Sequence, residues 1–316
     1  MDAHVYSIGL RTRFRGITVR EGVLLRGPAG WGEFCPFGEY SDAESLPWLA
    51  AALEAAEQGW PAPMRDRVEV NTTVPVVSPS EAFELVTASG ARTAKVKVAG
   101  AGVPVSADCE RLAAVRDALG PGGAIRVDAN GAWDVDAAVA AIRDLARAAG
   151  WLQYVEQPCA TVDELAAVRR RVEVLIAADE SIRRADDPLR VAMAGAADVA
   201  VLKVAPLGGV RRALRVAEAC GLPCVVSSAV ESSVGLAAGV ALAAALPELP
   251  YACGLGTMSL LQRDAATPSL RPVDGYLTVP AAAPEPDLDD FPAADEDTRR
   301  RWLERLARVC ELRHQG

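Results

Sequence analysis

Short apolar runs rich in valine and alanine recur through the middle of the chain. Residues 68–74, 94–98, 125–129, 153–156, 174–178, 199–203, 224–227 and 251–254 each have the length of a buried strand. Between most of them lie stretches with apolar residues at helical spacing, at 106–119, 135–149 and 210–220. Thr161-Val-Asp-Glu164 is a capping-box signature that opens a further helix, to about Arg171. Eight strands at intervals of roughly 20 to 30 residues, alternating with helices, have the rhythm of a (β/α)8 barrel of the TIM type. A doubly wound parallel sheet shares that alternation. No Gly-x-Gly-x-x-Gly or phosphate loop follows an early strand, which takes weight from its nucleotide-binding versions.

The flanks read differently. Residues 19–25 and 30–33 predict antiparallel strands around a Gly27-Pro28 turn. Ser41-Asp-Ala-Glu44 is a capping box that predicts a helix to about Gln58, and Pro61-Ala-Pro63 marks a linker. Residues 1–66 are therefore expected to form a small α+β capping domain and residues 67–256 the barrel. In 257–316, turns and a Pro-rich stretch at 280–292 lead to a charged amphipathic helix over 295–312, expected to pack on barrel or cap.

Composition narrows the function. The net charge of −9 and the lack of a basic block argue against a nucleic-acid surface. The longest apolar run, 234–246, is too short to span a bilayer, and the first residues lack a signal-peptide pattern. These features predict a cytoplasmic protein with a small-molecule partner, neither nucleic acid nor membrane, and leave the oligomeric state open. Seven scattered cysteines, an odd number without a Cys-x-x-Cys pair, fit a reduced protein, with Cys220 and Cys224 buried around a helix-to-strand turn. The two histidines, His4 and His314, lie at the chain ends. Acid–base chemistry then falls to lysine or carboxylate.

Lys95 and Lys97 share one face of the 94–98 strand, with Val96 and Val98 on the other. Burying two ammoniums is costly unless carboxylates, a metal or a substrate compensate them. The other reading is an exposed edge strand with protective lysines. Downstream, Lys203 sits on a similar strand, and three strands between end in Asp128, Glu156 and Asp179. Catalytic groups of such barrels gather at the C-terminal strand ends, where Asn130, Glu180, Ser227 and Ser228 also fall. Three converging carboxylates without histidine or thiolate suit a hard cation, Mg2+ with Mn2+ as a substitute. Taken singly, each acid reads equally as a helix cap or an arginine partner. A lysine beside a second ammonium and a divalent cation loses its proton more readily and can act as a base near neutral pH. Abstraction of a proton α to a metal-bound carboxylate would give an enediolate whose second charge falls at the metal. Lys203 is then an opposite acid/base, or a stabiliser of the planar anion.

The ordered set Lys95-x-Lys97, Asp128, Glu156, Asp179, Lys203 resembles the enolase superfamily, and within it the muconate cycloisomerase-like subgroup; the lack of central histidines separates it from the mandelate racemase-like subgroup. The stretches Arg126-Val-Asp128-Ala-Asn130, Val155-Glu156-Gln-Pro-Cys159, Ala178-Asp179-Glu180-Ser181 and Ser227-Ser-Ala-Val-Glu231-Ser-Ser-Val-Gly235 are similar to the o-succinylbenzoate synthase family of menaquinone biosynthesis. The resemblance spans the barrel and, more loosely, the cap. It implies Mg2+-dependent syn dehydration of 2-succinyl-6-hydroxy-2,4-cyclohexadiene-1-carboxylate through a metal-stabilised enediolate. It further implies Lys97 as the base and as the acid toward the departing hydroxyl, Lys95 as its tuner, and Asp128, Glu156 and Asp179 as metal ligands. Lys203 would be a cation–π partner of the ring. Arg126 and Asn130 would lie near the bound carboxylate, and Ser227 and the backbone near Gly254 would hold the succinyl tail. N-acylamino acid racemases and dipeptide epimerases share the first half of this chemistry. A non-catalytic carboxylate-binding protein is the alternative of another class; the presence of every lysine and acid speaks against it. The chain departs from the family in having Glu156-Gln157 where two acids are frequent, and Gly254-Leu-Gly256-Thr257 where an aspartate is common. Loops Phe14-Arg15-Gly16 and Phe37-Gly38-Glu39-Tyr40 would close the site as a lid, or are simple turns.

Overall fold

In the computed structural model, which describes residues 2–183 and 189–315, strand β1 (Asp2–Phe14) turns back on β2 (Ile17–Gly27), and β3 (Gly30–Phe34) completes an antiparallel sheet. Strand β1 buries Tyr6, Ile8 and Leu10 on alternate positions, a period-two pattern that the sequence reading leaves unassigned. Phe14 pairs with Ile17 across Arg15-Gly16, whose φ angles of 49° and 81° make a two-residue hairpin of the type that needs positive φ at both positions. Helix α1 (Leu46–Glu57) lies against this sheet. A Cβ on Gly32 would stand 1.9 Å from the Ala52 carbonyl oxygen, so only glycine allows that approach. The Ser41–Glu44 box forms, with Ser41 N donating to Glu44 Oε2 at 2.9 Å, but the helix starts at Leu46. Pro47 has no N–H to give to Ala43, so the ladder cannot run through from Ser41.

The barrel alternates strand and helix: β4 (Arg67–Glu69), β5 (Thr72–Val74), α2 (Pro79–Ser89), β6 (Thr93–Lys97), α3 (Val105–Leu119), β7 (Ala124–Asp128), α4 (Val135–Ala149), β8 (Tyr154–Glu156), α5 (Val162–Arg169), β9 (Ile176–Ala178), α6 (Glu180–Arg183), α7 (Leu189–Met193), β10 (Val199–Leu202), α8 (Val204–Leu207), α9 (Val210–Cys220), β11 (Cys224–Val226) and α10 (Ser233–Ala245). Strands β5 to β11 form one curled parallel sheet in chain order. Its strands are buried on both faces, which explains why they read as near-continuous runs of Val, Ala and Ile.

Two of the expected strands differ. The 68–74 run splits at Val70, whose N–H donates to the Gly275 carbonyl at 2.8 Å. Its first half, β4, pairs antiparallel with β12 (Tyr276–Thr278), and its second half joins the parallel sheet. Residues 251–254 form no strand. They make single bridges, Ser227 to Gly254 and Val70 to Cys253, which join the two edges of the curled sheet. Their backbone groups are divided among both neighbours and Arg126, which takes the Ala252 carbonyl at 2.6 Å.

Two cap glutamates lock the cap to the barrel. Glu33 accepts from Ser232 N (3.1 Å) and Gly235 N (2.9 Å) at the start of α10, and from Tyr6 Oη at 2.7 Å. Glu54 accepts from Val210 N and Arg211 N at the start of α9. Unpaired N–H groups and the helix dipole both favour a carboxylate there. Helix α11 (Glu296–Gln315) packs on the cap, with Trp302 edge-on to Phe34. Arg305 donates to the carbonyls of Phe37 and Tyr40. Among the described residues no helix is long and apolar enough to cross a membrane.

Candidate active site

Strand register builds the site. Lys97 pairs with Asp128 and Asp128 with Glu156, so the ends of β6, β7 and β8 are level. Asp179 follows β9, and Lys203 follows β10 from farther round the sheet. Asp128, Glu156 and Asp179 are at most 1% exposed, Lys95 is 6% and Lys203 7%. Such burial demands pairing. Lys95 Nζ donates to Glu156 Oε1 and Oε2 at 3.0 and 3.1 Å and lies 3.2 Å from Asp128 Oδ2. Lys97 Nζ donates to Asp128 Oδ2 at 2.5 Å and Asn130 Oδ1 at 2.8 Å, and Lys203 Nζ to Asp179 Oδ2 at 2.6 Å. The lysines are thus buried catalytic-end groups rather than guards of a sheet edge.

These charges shift one another. Burial lowers the Lys97 pKa, and the Lys95 ammonium pushes the same way while Asp128 pulls it back up. Lys95 is raised: against burial, Glu156 and Asp128 hold its proton. Burial and neighbouring Asp128 push Glu156 up to about 7, with Lys95 opposing them. Asp128 stays below the usual carboxylate range despite burial, because Lys97 and Lys95 face it.

Among the described residues no three His, Cys, Asp or Glu side chains stand as a ready-made open ligand cluster, because the ammoniums lie between the carboxylates. The donor set nevertheless fits a hard divalent cation. It offers carboxylate oxygens only, buried on three successive strand ends.

A small cavity of about 20 Å³ caps these groups, lined among others by Phe14, Arg15, Thr73, Lys97, Asn130, Ser227, Gly254 and Thr257. That is room for about one water, so a ring substrate requires lining groups to shift. Asn130, Ser227 and Gly254 line this cavity. Arg126, expected near the bound carboxylate, does not. It lies two residues before Asp128 on the same strand face, roughly 7 Å deeper, and is fully buried. Its guanidinium donates to Gln153 Oε1 (2.6 Å), Asn71 Oδ1 (3.3 Å) and the Ala252 carbonyl, so it braces the barrel interior below the cavity. Phe14 and Arg15 of the cap hairpin line the cavity, whereas Phe37 and Tyr40 are buried against Trp48.

Gln157, which the sequence marks only as a departure from the two acids frequent in the family, ties two strand ends together. Gln157, at φ 40°, accepts from Asp179 N (3.0 Å) and Ser181 N (3.2 Å) and donates to Ser181 Oγ and the Cys159 carbonyl. An amide both accepts and donates here, which a second carboxylate cannot. The residue type was visible; its reach to the next strand end was not. A larger cavity of about 640 Å³ lies between β2 and α11, away from the strand ends.

Comparison with known proteins agrees with this geometry. Residues 79–284 match the enolase C-terminal domain-like family and residues 5–56 the enolase N-terminal domain-like family. An o-succinylbenzoate synthase of Thermobifida fusca is 68% identical over 88% of this chain and 87% of its own. Those of Mycolicibacterium smegmatis and Mycobacterium tuberculosis are 55% and 52% identical, over 96% and 98% of this chain and 93% and 94% of theirs. The L-Ala-D/L-Glu epimerase of Bacillus subtilis superposes with a TM-score of 0.76 at 24% identity, covering 90% of this chain and 96% of its own. The muconate lactonizing enzyme of Pseudomonas putida gives 0.73 at 21%, covering 95% and 98%. At these identities the two structures share the fold. With its cap, its barrel and relatives of such identity over nearly its whole length, the chain belongs to the o-succinylbenzoate synthases, hydro-lyases of the enolase superfamily.

Proposed function

We propose that Lys97 carries the chain's reaction, the syn dehydration of 2-succinyl-6-hydroxy-2,4-cyclohexadiene-1-carboxylate to o-succinylbenzoate, as a step of menaquinone biosynthesis. The observation that supports this most is the placing of Lys97 at the cavity rim, between Asp128 and Asn130, with Lys203 also lining the cavity from β10. A divalent cation held by Asp128, Glu156 and Asp179, Mg2+ with Mn2+ as a substitute, would supply positive charge at the ring carboxylate.

Neutral Lys97 takes the ring proton α to that carboxylate, and the electron pair of the broken C–H bond moves into the carboxylate. The pair then returns to the ring as the C–O bond to the hydroxyl breaks. Lys97 hands its proton to the departing oxygen, and water leaves. One lysine on one face serves both transfers. Lys95, held charged by Glu156 and Asp128, keeps protonated Lys97 unfavourable at the start. Lys203 presents its ammonium to the ring. Asn130 holds the Lys97 amine, and Ser227 and Gly254 line the way for the succinyl tail.

The presence of Lys203 in the same cavity also supports a second reading, racemisation of an N-acylamino acid or epimerisation of a dipeptide, which needs a proton-transfer group on each face. The deciding experiment assays the cyclohexadiene carboxylate with and without Mg2+. In parallel, it follows deuterium uptake from D2O into both enantiomers of an N-succinylamino acid in Lys97 and Lys203 variants. Fast Mg2+-dependent dehydration with little exchange is expected. Rapid exchange of each enantiomer, each lost with a different lysine and at a kcat/KM above that of dehydration, would overturn the dehydratase reading.

A further inference from the structure

We infer that Arg15 binds the second carboxylate of the substrate, at the end of the succinyl chain, and thereby selects dicarboxylates over monocarboxylates. The inference rests on the dehydratase reading and adds a residue to it.

The backbone supplies the first argument. Arg15 is the first central residue of the β1–β2 hairpin, at φ 49°, followed by Gly16 at 81°. A two-residue turn of this kind favours Asn-Gly, Asp-Gly or Gly-Gly, because a long side chain is strained in the left-handed region. Arginine there gives up turn stability that asparagine or glycine would supply.

Charge supplies the second. Four cations line the cavity: Lys95, Lys97, Lys203 and Arg15. The three lysines lie within 2.5–3.2 Å of strand-end carboxylates. The nearest carboxylate to Arg15 is that of Glu39, whose Oε1 lies 3.9 Å from Nη2, beyond hydrogen-bond reach, and the Glu39 side chain is 54% exposed and well screened. Arg15 is thus the cation at the cavity that the barrel acids do not neutralise. A substrate with two carboxylates places one at the strand-end site, and Arg15 is the cation on the cavity wall left to meet the other.

Shape supplies the third. The Arg15 guanidinium lies 4.6 Å from the centre of the Phe37 ring, and Arg305 holds the Phe37 carbonyl from α11 at 3.1 Å. A stacked, planar guanidinium is pre-oriented for a bidentate carboxylate. Its neighbour Phe14 places its ring 5.3 Å from Lys97 Nζ. The same hairpin tip thus spans the distance from the base to the cavity mouth.

The test titrates the Mg2+-loaded protein with o-succinylbenzoate and with its amide at the succinyl end, in the native protein, Arg15→Asn and Arg15→Lys. The native protein should prefer the acid by about 10- to 100-fold, the usual worth of a charged hydrogen-bonded contact. Arg15→Asn should lose that preference while binding the amide within about twofold of native. Its Tm should be unchanged or higher, because asparagine suits the turn. Arg15→Lys should restore part of the preference. Retention of the full preference by Arg15→Asn, or equal weakening of acid and amide, would overturn the assignment. A native protein that binds the acid but performs no dehydration would instead remove the reading beneath it.

Discussion

Lys97 lies between groups that pull its proton in opposite directions. Burial and Lys95 favour its loss, and Asp128 favours its retention. Removing Lys95 deletes the like charge and leaves Glu156 and Asp128 with less compensation, and both changes raise the Lys97 pKa. Lys95→Ala should therefore move the ascending limb of the pH–rate profile to higher pH by about one unit or more, with activity partly recovered on the alkaline side. Lys97→Ala should lose about 10³-fold or more in kcat at every pH. A profile unmoved by Lys95→Ala would show that Lys95 only pairs with Glu156. At this scale the sequence was legible where residue type and strand-end position suffice, as for Lys95, Lys97, Asp128, Glu156, Asp179 and Lys203. It misled for Arg126, because strand parity tells which face a side chain takes but not how deep along the barrel it lies. It named the loop of Arg15 as a lid or a simple turn but gave Arg15 no binding role, because that role depends on a turn conformation and on a cavity built from another part of the chain.

The elements were legible where one periodicity rules a whole segment. Helices α4 and α9 span the ranges that their apolar spacing predicts. Boundaries set by distant partners were not legible: Val70 breaks its strand because Gly275, some two hundred residues on, offers a carbonyl. The docking of the cap belongs to the same class. Nothing in the sequence sets Glu54 apart, yet it is 9% exposed and caps α9 by accepting from Val210 N and Arg211 N. Glu54→Ala would leave those N–H groups without a partner and remove the carboxylate from the helix dipole. A loss of about 1–3 kcal/mol is expected in urea unfolding. Activity of the folded protein should be nearly unchanged, because Glu54 bonds to Val210 N, Arg211 N and the Arg211 guanidinium and to none of the three lysines. A variant as stable as native would show that water replaces the carboxylate at no cost. With Glu33 doing the same at α10, the cap is fixed at two helix starts.

For the whole molecule, the strand-end site must stay neutral in each of its states. Three carboxylates face three ammoniums in the structure described here. A divalent cation together with a dicarboxylate adds charges that cancel, so the site can exchange one balanced state for another without a net buried charge. Metal alone breaks that balance less than it first suggests, because Glu156, raised to about 7, is partly protonated near neutrality and can release its proton as a cation arrives. Metal affinity should accordingly rise with pH through that region. Binding to the folded state alone also stabilises the fold by mass action, about 2.7 kcal/mol at a concentration one hundred times Kd, or a Tm increase of about 5 °C for a chain of this size. Asp179→Asn removes one donor and leaves Lys203 without its carboxylate, so its Tm without metal should also fall. The informative quantity is the difference between metal-loaded and chelated protein. That difference should be several degrees for the native chain and close to zero for Asp179→Asn, with dehydration lost in parallel. Full activity after exhaustive chelation, or an unchanged metal-induced Tm shift in Asp179→Asn, would show that the three strand-end acids serve the lysines rather than a metal.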